Sequence, residues 1–498
     1  MVDFVDVLFP IASLVVFALL TVPVLRKVRK TTHTTGLSLV WFAVIFGTVF
    51  ASVASLTSKY YALGSAEPLN ITLAQGSLSS LSTAFMIDAM SVYMAIIICA
   101  VSAVVFLYGI FYVKLTEKPS ERYYAIMLML TAALIGTVFS GDLLTLFIFW
   151  ECAAAGSSFL MIFRKKPNSL NAALKYLVMI IIASAFVIFG ISLVYGLTGS
   201  LNFWAVKAAL MTLTDKRLLI LAFIFIATGY AIESAIVPFH FWLPDAYSAA
   251  PASSSSFLSA LIDQGSYYVL IRVLIFILTP STVLDWRFML AVMAALTMIV
   301  GNLFALIQDD VKMLIGYICV ADVGYNLVAI TSVTALGLEG NLYFFLIGGM
   351  TTALAFMTVG IINHYGFKSL EDFSGLGWKM PIVCIALAMA AFSFAGIPPF
   401  GGFTAKLLVF TAAIEANMAW LAVIGVLASV LQTAYLFRLI NYMFGKKPKD
   451  EQRIKEPKLL LIPVFILVAA IIVLGLYPDV VLRLIEPATK QLPLLILS

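Results

Sequence analysis

Charge is what this sequence has least of. Only 11% of its 498 residues are charged, against 63% hydrophobic, whereas soluble domains carry roughly a quarter charged residues. A soluble core cannot absorb that much apolar surface, so lipid must be the solvent for most of the chain. Histidine is scarce too: His33, His240 and His364 are not placed as a bis-His haem pair would be. The four cysteines, Cys99, Cys152, Cys319 and Cys384, fall in four different hydrophobic stretches with no C-x-x-C spacing. That pattern excludes iron–sulfur and zinc signatures and argues against disulfides. No run reads as a credible strand, so there is no glycine-rich phosphate loop following one. The chain is expected to hold no metal and no cofactor. Its net charge of +5 is expected to reflect membrane topology and not a nucleic-acid surface.

What the sequence has in abundance is long hydrophobic runs. About fourteen are long enough to cross ~30 Å of hydrocarbon at ~1.5 Å per residue. Their centres lie near Val15, Phe46, Ile97, Thr131, Ala153, Ser184, Ala227, Asp263, Leu296, Ala321, Met350, Phe394, Val430 and Val468. The expected fold is an all-α polytopic membrane protein of about fourteen transmembrane helices. No small-residue cleavage site follows the first run, which is read as a retained helix and not a signal peptide. Basic residues cluster in alternate loops: Arg26–Lys30, Lys114–Arg122, Arg164–Lys166, Lys312, Lys368–Lys379 and Lys446–Lys458. About nineteen Lys/Arg lie there and about seven on the other side. The positive-inside rule then places the chain in the cell membrane with both termini outside.

Two of the runs carry helix breakers. In "GYAIESAIVPFHFWLPDAYSAAP", residues 229–251, Pro238 interrupts the seventh segment; in "FAGIPPFGGFTAK", residues 394–406, two prolines and three glycines interrupt the twelfth. Irregular backbone at membrane depth is tolerated only inside protein or beside a wet cavity. Interruptions at corresponding places in two halves point to inverted repeats with a site between them. The breaks are five helices apart, which divides the chain into 1–115 (helices one to three), 120–277 (first repeat, helices four to eight), 284–443 (second repeat, helices nine to thirteen) and 457–498 (a last helix and tail).

Ionisable residues recur inside these runs: Glu151, Lys175, Glu233, Asp263, Asp322 and Lys406, with Asp88 near the start of the third. Each costs several kcal/mol at mid-bilayer, so such residues usually face a polar interior and carry function. Taken singly, any of them could be a paired structural ion. Recurring from helix to helix, they describe a polar axis able to pass protons. Ser253–Ser256, Gln264 and Tyr267 add polar groups, although the serines read equally well as helix–helix hydrogen bonds.

The motifs "FIFWE", "ALKY", "VPFHFWLPDAYSAAP", "DDVKMLIGY" and "GIPPFGGF-x-x-K" resemble the antiporter-like subunits of respiratory complex I, of Mrp-type cation/proton antiporters and of archaeal membrane-bound hydrogenase-like complexes. The resemblance covers roughly residues 80–440, and the chain is similar to the shorter, Mrp D type of subunit. It implies a two-half proton channel in a hetero-oligomeric complex with other membrane subunits, further antiporter-like ones among them. That channel would carry protons and, through the complex, Na⁺. Glu151 matches the family's fifth-helix glutamate, Lys175 the lysine of its sixth-helix K-Y pair and Lys406 the charged residue of its twelfth helix. Asp310 and Lys312 match the D-x-K opening the tenth helix, and His240 belongs to the P-F-H motif. The same alignment puts Glu233 and Asp263 where the family has lysines, and Asp322 where it has a histidine. Three bases have become acids. Three readings follow: a subunit that moves ions along these residues, a structural spacer that lost pumping with its lysines, and a self-contained transporter of a small solute. The last fits an inverted repeat but not the motif set.

Overall fold

A computed structural model describes residues 2–28, 34–64, 67–72, 84–116, 121–164, 167–279, 285–445 and 452–497. Several loop residues counted for topology, among them Arg29, Lys30, Lys118, Lys165, Lys166, Lys446, Lys447 and Lys449, lie outside the described residues. Helices α1 (Phe4–Val28), α2 (Thr34–Ala62), α3 (Ala89–Thr116), α4 (Glu121–Phe139), α5 (Leu143–Met161) and α6 (Pro167–Thr198) open the fold. There follow a short α7 (Phe203–Thr212), α8 (Arg217–Glu233), α9 (Trp242–Ala249) and a continuous α10 (Ala252–Ile277). The rest are α11 (Arg287–Leu306), α12 (Val311–Ser332), α13 (Ala335–His364), α14 (Pro381–Ala395), α15 (Gly401–Glu415), α16 (Ala419–Gly445), α17 (Lys458–Leu476) and α18 (Asp479–Leu497). Twelve of them are long and apolar enough to cross a membrane among the described residues.

Their burial sorts them by position. Helices α10, α12 and α13 are buried along nearly their whole length, whereas α1, α2, α6 and α17 turn most of their surface outward. Helix α10 departs from α geometry over Leu258–Ile262, just before Asp263, and again over Ile271–Ile277, where it is π-helical. Such bulges shift the side chains that follow and are frequent at functional sites.

Two features depart from expectation. A small antiparallel hairpin, β1 (Leu69–Thr72) with β2 (Ala84–Ile87), sets Leu69 opposite Ile87. Four-residue stretches are too short for alternation to register in sequence, and here buried backbone demands partners: Gly141 N–H donates to Ala84 O at 2.9 Å. The expected tail is the helix α18, packed on α3 and α13, where Gln491 accepts from Ala89 N–H and donates to the Tyr60 hydroxyl at 2.8 Å.

The two interruptions match bond for bond. After α8, Ala235 turns left-handed (φ 53°), Ile236 N–H reaches back to Ala231 O at 2.9 Å, and Phe239 N–H to Ile236 O at 2.7 Å. After α14, Gly396 turns left-handed (φ 73°), Ile397 N–H reaches Phe392 O at 3.0 Å, and Phe400 N–H reaches Ile397 O at 3.1 Å. A second pair of features also corresponds. Asp142 caps α5 and pairs with Asn202, through Leu143 N–H to Leu201 O and Phe203 N–H to Gly141 O. Asp310 caps α12 and pairs with Ser369, through Val311 N–H to Lys368 O and Leu370 N–H to Asp309 O.

Candidate ion path

Glu233 is the last residue of α8, where the unsatisfied carbonyl ends of a helix disfavour a negative charge. The indole N–H of Trp150, from α5, donates to its Oε2. The Glu151 carboxyl stands against that of Glu233, with the Ser184 hydroxyl of α6 on its other side. Glu151 Oε1 and Glu233 Oε1 are buried and have no hydrogen-bond donor, and the Tyr230 hydroxyl nearby has no partner either. Among the described residues no ion pair reaches either glutamate. Two carboxylates ~4 Å apart repel by ~4 kcal/mol even at an effective dielectric near 20. A proton or a cation held between them removes that repulsion and satisfies both oxygens.

Next along the row is Asp263, which accepts the Tyr247 hydroxyl of α9. Between the glutamates and Asp263 stands Tyr176 of α6, within electrostatic reach of all three. Its hydroxyl bridges Ser157 Oγ at 2.8 Å and Ala154 O at 2.6 Å. Beyond Asp263, and within its electrostatic reach, is Asp322 on α12.

Asp322 faces Lys406 across the second break. Lys406 Nζ donates to Phe394 O (2.7 Å), a carbonyl freed where α14 ends, to Gln432 Oε1 (2.6 Å) and to Ser429 Oγ (3.2 Å). The ammonium also lies 4.4 Å from the centre of the Tyr325 ring, a cation–π contact that partly replaces lost hydration. Gly396 is needed twice over: its φ favours glycine, and a Cβ would crowd Lys406 Cδ at 3.2 Å.

The remaining expected residues sit elsewhere. Lys175 is exposed and pairs with Asp245 at 2.8 Å, so the structure does not bring it into the buried row. Together with Asp310, Lys312 and Lys368 the pair lines a polar bowl of about 670 Å³. Lys312 Nζ donates to Ala250 O at 2.5 Å, and Asp310 caps α12. Helix α9 joins the two regions, because Asp245 faces the bowl while Tyr247, two residues on, holds Asp263. His240 is buried against Phe241 and Phe304, with neither ring nitrogen bonded. Asp88 forms a bidentate pair with Arg272, both contacts 2.6 Å; that is a paired structural ion. Ser253 and Ser254 meet the Tyr123 hydroxyl at 2.8 and 3.1 Å, which is the helix–helix role. Sequence reasoning missed Trp150, Tyr176, Tyr247, Tyr325 and Gln432. Trp150 in "FIFWE", Tyr176 in "ALKY" and Tyr247 in "VPFHFWLPDAYSAAP" sat inside the quoted motifs, whereas Tyr325 and Gln432 had no signal.

A family model described as NADH:quinone oxidoreductase/Mrp antiporter, transmembrane, matches residues 140–432. The F(420)H(2) dehydrogenase subunit N of Methanosarcina mazei is 31% identical over 82% of this chain and 84% of its own length. The NADH-quinone oxidoreductase subunit N of Trichlorobacter lovleyi is 30% identical over 83% and 86%. Among solved structures, a chain of an archaeal membrane-bound sulfane sulfur reductase aligns with TM-score 0.85 at 26% identity, over 97% of both chains. A chain of the Mrp complex from Dietzia sp. shares the fold with TM-score 0.85 at 23% identity, over 98% of both.

Proposed function

The chain belongs to the NADH:quinone oxidoreductase/Mrp antiporter family of transmembrane subunits, and we propose that it forms the proton path of one subunit in a multi-subunit energy-converting complex. The path runs through Glu151, Glu233, Asp263, Asp322 and Lys406. Lys175, Asp310 and Lys312 support it from the bowl side, where Asp245 and Tyr247 share α9, and His240 supports it from the apolar packing behind the first break. The driving chemistry, whether redox turnover or Na⁺ exchange, lies in partner subunits, other antiporter-like ones among them. The observation that carries this reading is the Glu151–Glu233 pair: a half-buried and a buried carboxylate with no basic partner among the described residues, placed at a helix break and in line with two more acids and a lysine. Buried charges persist only when paired or occupied, and an acid pair that takes up and releases a cation meets that condition.

The architecture supporting it is fourteen crossings, with α8–α9 and α14–α15 each counted as one broken crossing beside the twelve continuous spans. The units 120–277 and 284–443 form two inverted repeats. The matched breaks and the matched caps at Asp142 and Asp310 support this division. Lys312 and Lys368 beside the second cap support a basic-loop side there, opposite the first cap, and with it the reading that both termini lie on the outer face of the cell membrane.

The test is proton uptake by inverted membrane vesicles carrying the intact complex, driven by its own reaction. Lys406→Met and Asp263→Asn should each leave the complex assembled and cut uptake at least tenfold. Uptake at the parent rate in both would overturn the proposal in favour of a structural spacer.

A further inference from the structure

One neutral side chain stands between the charges of the second break. Gln432, on α16, is fully buried, and its Oε1 accepts from Lys406 Nζ at 2.6 Å. An ammonium can only donate, so the carboxamide is oriented with its oxygen toward Lys406. Its N–H side is turned to Asp322. Neither Gln432 Nε2 nor Asp322 Oδ2 makes a formed hydrogen bond, and no ion pair closes directly between Asp322 and Lys406 among the described residues. A carboxamide neither gains nor loses a proton in the physiological range, so it can hold an ammonium and face a carboxylate without passing anything between them.

A second connection exists beside it. A cavity of about 10 Å³ touches Asp322, Lys406, Thr351 and Ser393, room for about one water. The Thr351 and Ser393 hydroxyls are 2.9 Å apart, and hydroxyls, unlike an amide, can accept one proton while giving up another.

We infer that Gln432 is a positioning residue that keeps Asp322 and Lys406 apart as charged partners, so that a proton crosses between them only through the one-water cavity beside Thr351 and Ser393. The inference rests on the ion-path reading and says how its second half is gated. The titratable groups facing this point are few. Tyr325 lies under the ammonium, and Tyr435, one turn along α16, bonds Asn302 of α11 at 2.9 Å. Asp263 of α10 and Cys319 of α12 sense Asp322. Helices α13 and α14 bring no titratable side chain to the cavity, only the two hydroxyls among apolar residues.

The experiment compares Gln432→Glu with the parent complex in inverted membrane vesicles, measuring proton uptake per turnover between pH 6 and pH 9. The variant has the same shape but places a carboxylate on the ammonium and a like charge against Asp322. Uptake near neutrality should fall at least tenfold, with recovery in the alkaline range where the ammonium is more readily discharged, moving the optimum up by about one pH unit. A packing role would leave the optimum where it was. If Gln432→Glu does not assemble, Gln432→Asn, one methylene shorter and unable to hold both partners, should let Asp322 and Lys406 pair directly and lower uptake several-fold with a smaller upward shift of the optimum, whereas a packing role gives the loss with no shift. Parent-like uptake and optimum in the variant that assembles overturn the inference. Lys406→Met separates the two claims: parent-like uptake there sinks the path itself, whereas arrest there beside parent-like Gln432→Glu sinks only the role given to Gln432.

Discussion

The two broken helices share a backbone and differ in their charges. At the first, the side chains meeting behind the break are two glutamates from α5 and α8, flanked by the Trp150 indole N–H and the Ser184 hydroxyl, with one carboxyl oxygen of each left without a donor. At the second, a carboxylate and an ammonium from α12 and α15 are separated by a carboxamide, and the ammonium has three acceptors and a ring face. The same turn, with the same reach-back hydrogen bonds, therefore serves opposite electrostatics. The second site balances its own charge, while the first has to import a cation to do so.

The sharpest contrast with both is a charge pair that serves neither. Asp88 and Arg272 are as buried as any residue of the row, but each satisfies the other at two contacts. Breaking such a pair strands a charge at a cost of ~3–5 kcal/mol. Asp88→Ala should therefore abolish assembly, seen as loss of the complex on native gels, while Glu233→Gln and Lys406→Met assemble. If Asp88→Ala assembled normally and the other two did not, the division between structural and working charges would be wrong.

A smaller effect separates the two breaks. Trp150 gives Glu233 its one hydrogen bond, and a hydrogen bond to a charged group is worth about 1.5–3 kcal/mol. Trp150→Phe should slow proton uptake several-fold without reducing the amount of complex. Phe394 and Ser429 at the second break share their acceptor role with Gln432, so Ser429→Ala should change uptake less than Trp150→Phe does. The reverse order would show that the acid pair does not depend on its indole donor.

Much of this was legible in the sequence. The breakers at Pro238 and Pro399 marked both interruptions, because proline and glycine act on the backbone locally. The acids and Lys406 stood out against apolar neighbours. Their partners did not: Tyr176 and Tyr247 lay inside quoted motifs with nothing to say what they touch, and Gln432 is an ordinary residue until helices distant in sequence bring it into contact. Lys175 looked like its buried fellows, but it lies near the start of α6, where a long side chain turns outward to Asp245. The Asp88–Arg272 pair joins residues far apart in the chain, and no local pattern announces it.

The smallest effect belongs at the bowl. The Lys175–Asp245 pair is largely exposed, and exposed pairs contribute roughly 0–1 kcal/mol. Lys175→Ala should alter uptake by no more than about threefold and leave assembly untouched. A loss as large as that expected for Lys406→Met would move Lys175 into the path proper.

Everything here turns on whether the acid pair works, and Glu233→Gln tests it most directly. The amide keeps the size of the side chain and cannot exchange a proton, whereas Glu233→Lys would give Glu151 an ionic partner and should also assemble. In proteoliposomes of the intact complex, formation of a pH gradient should stop with Glu233→Gln while the complex remains whole. A gradient formed at the parent rate would contradict the carboxylate relay.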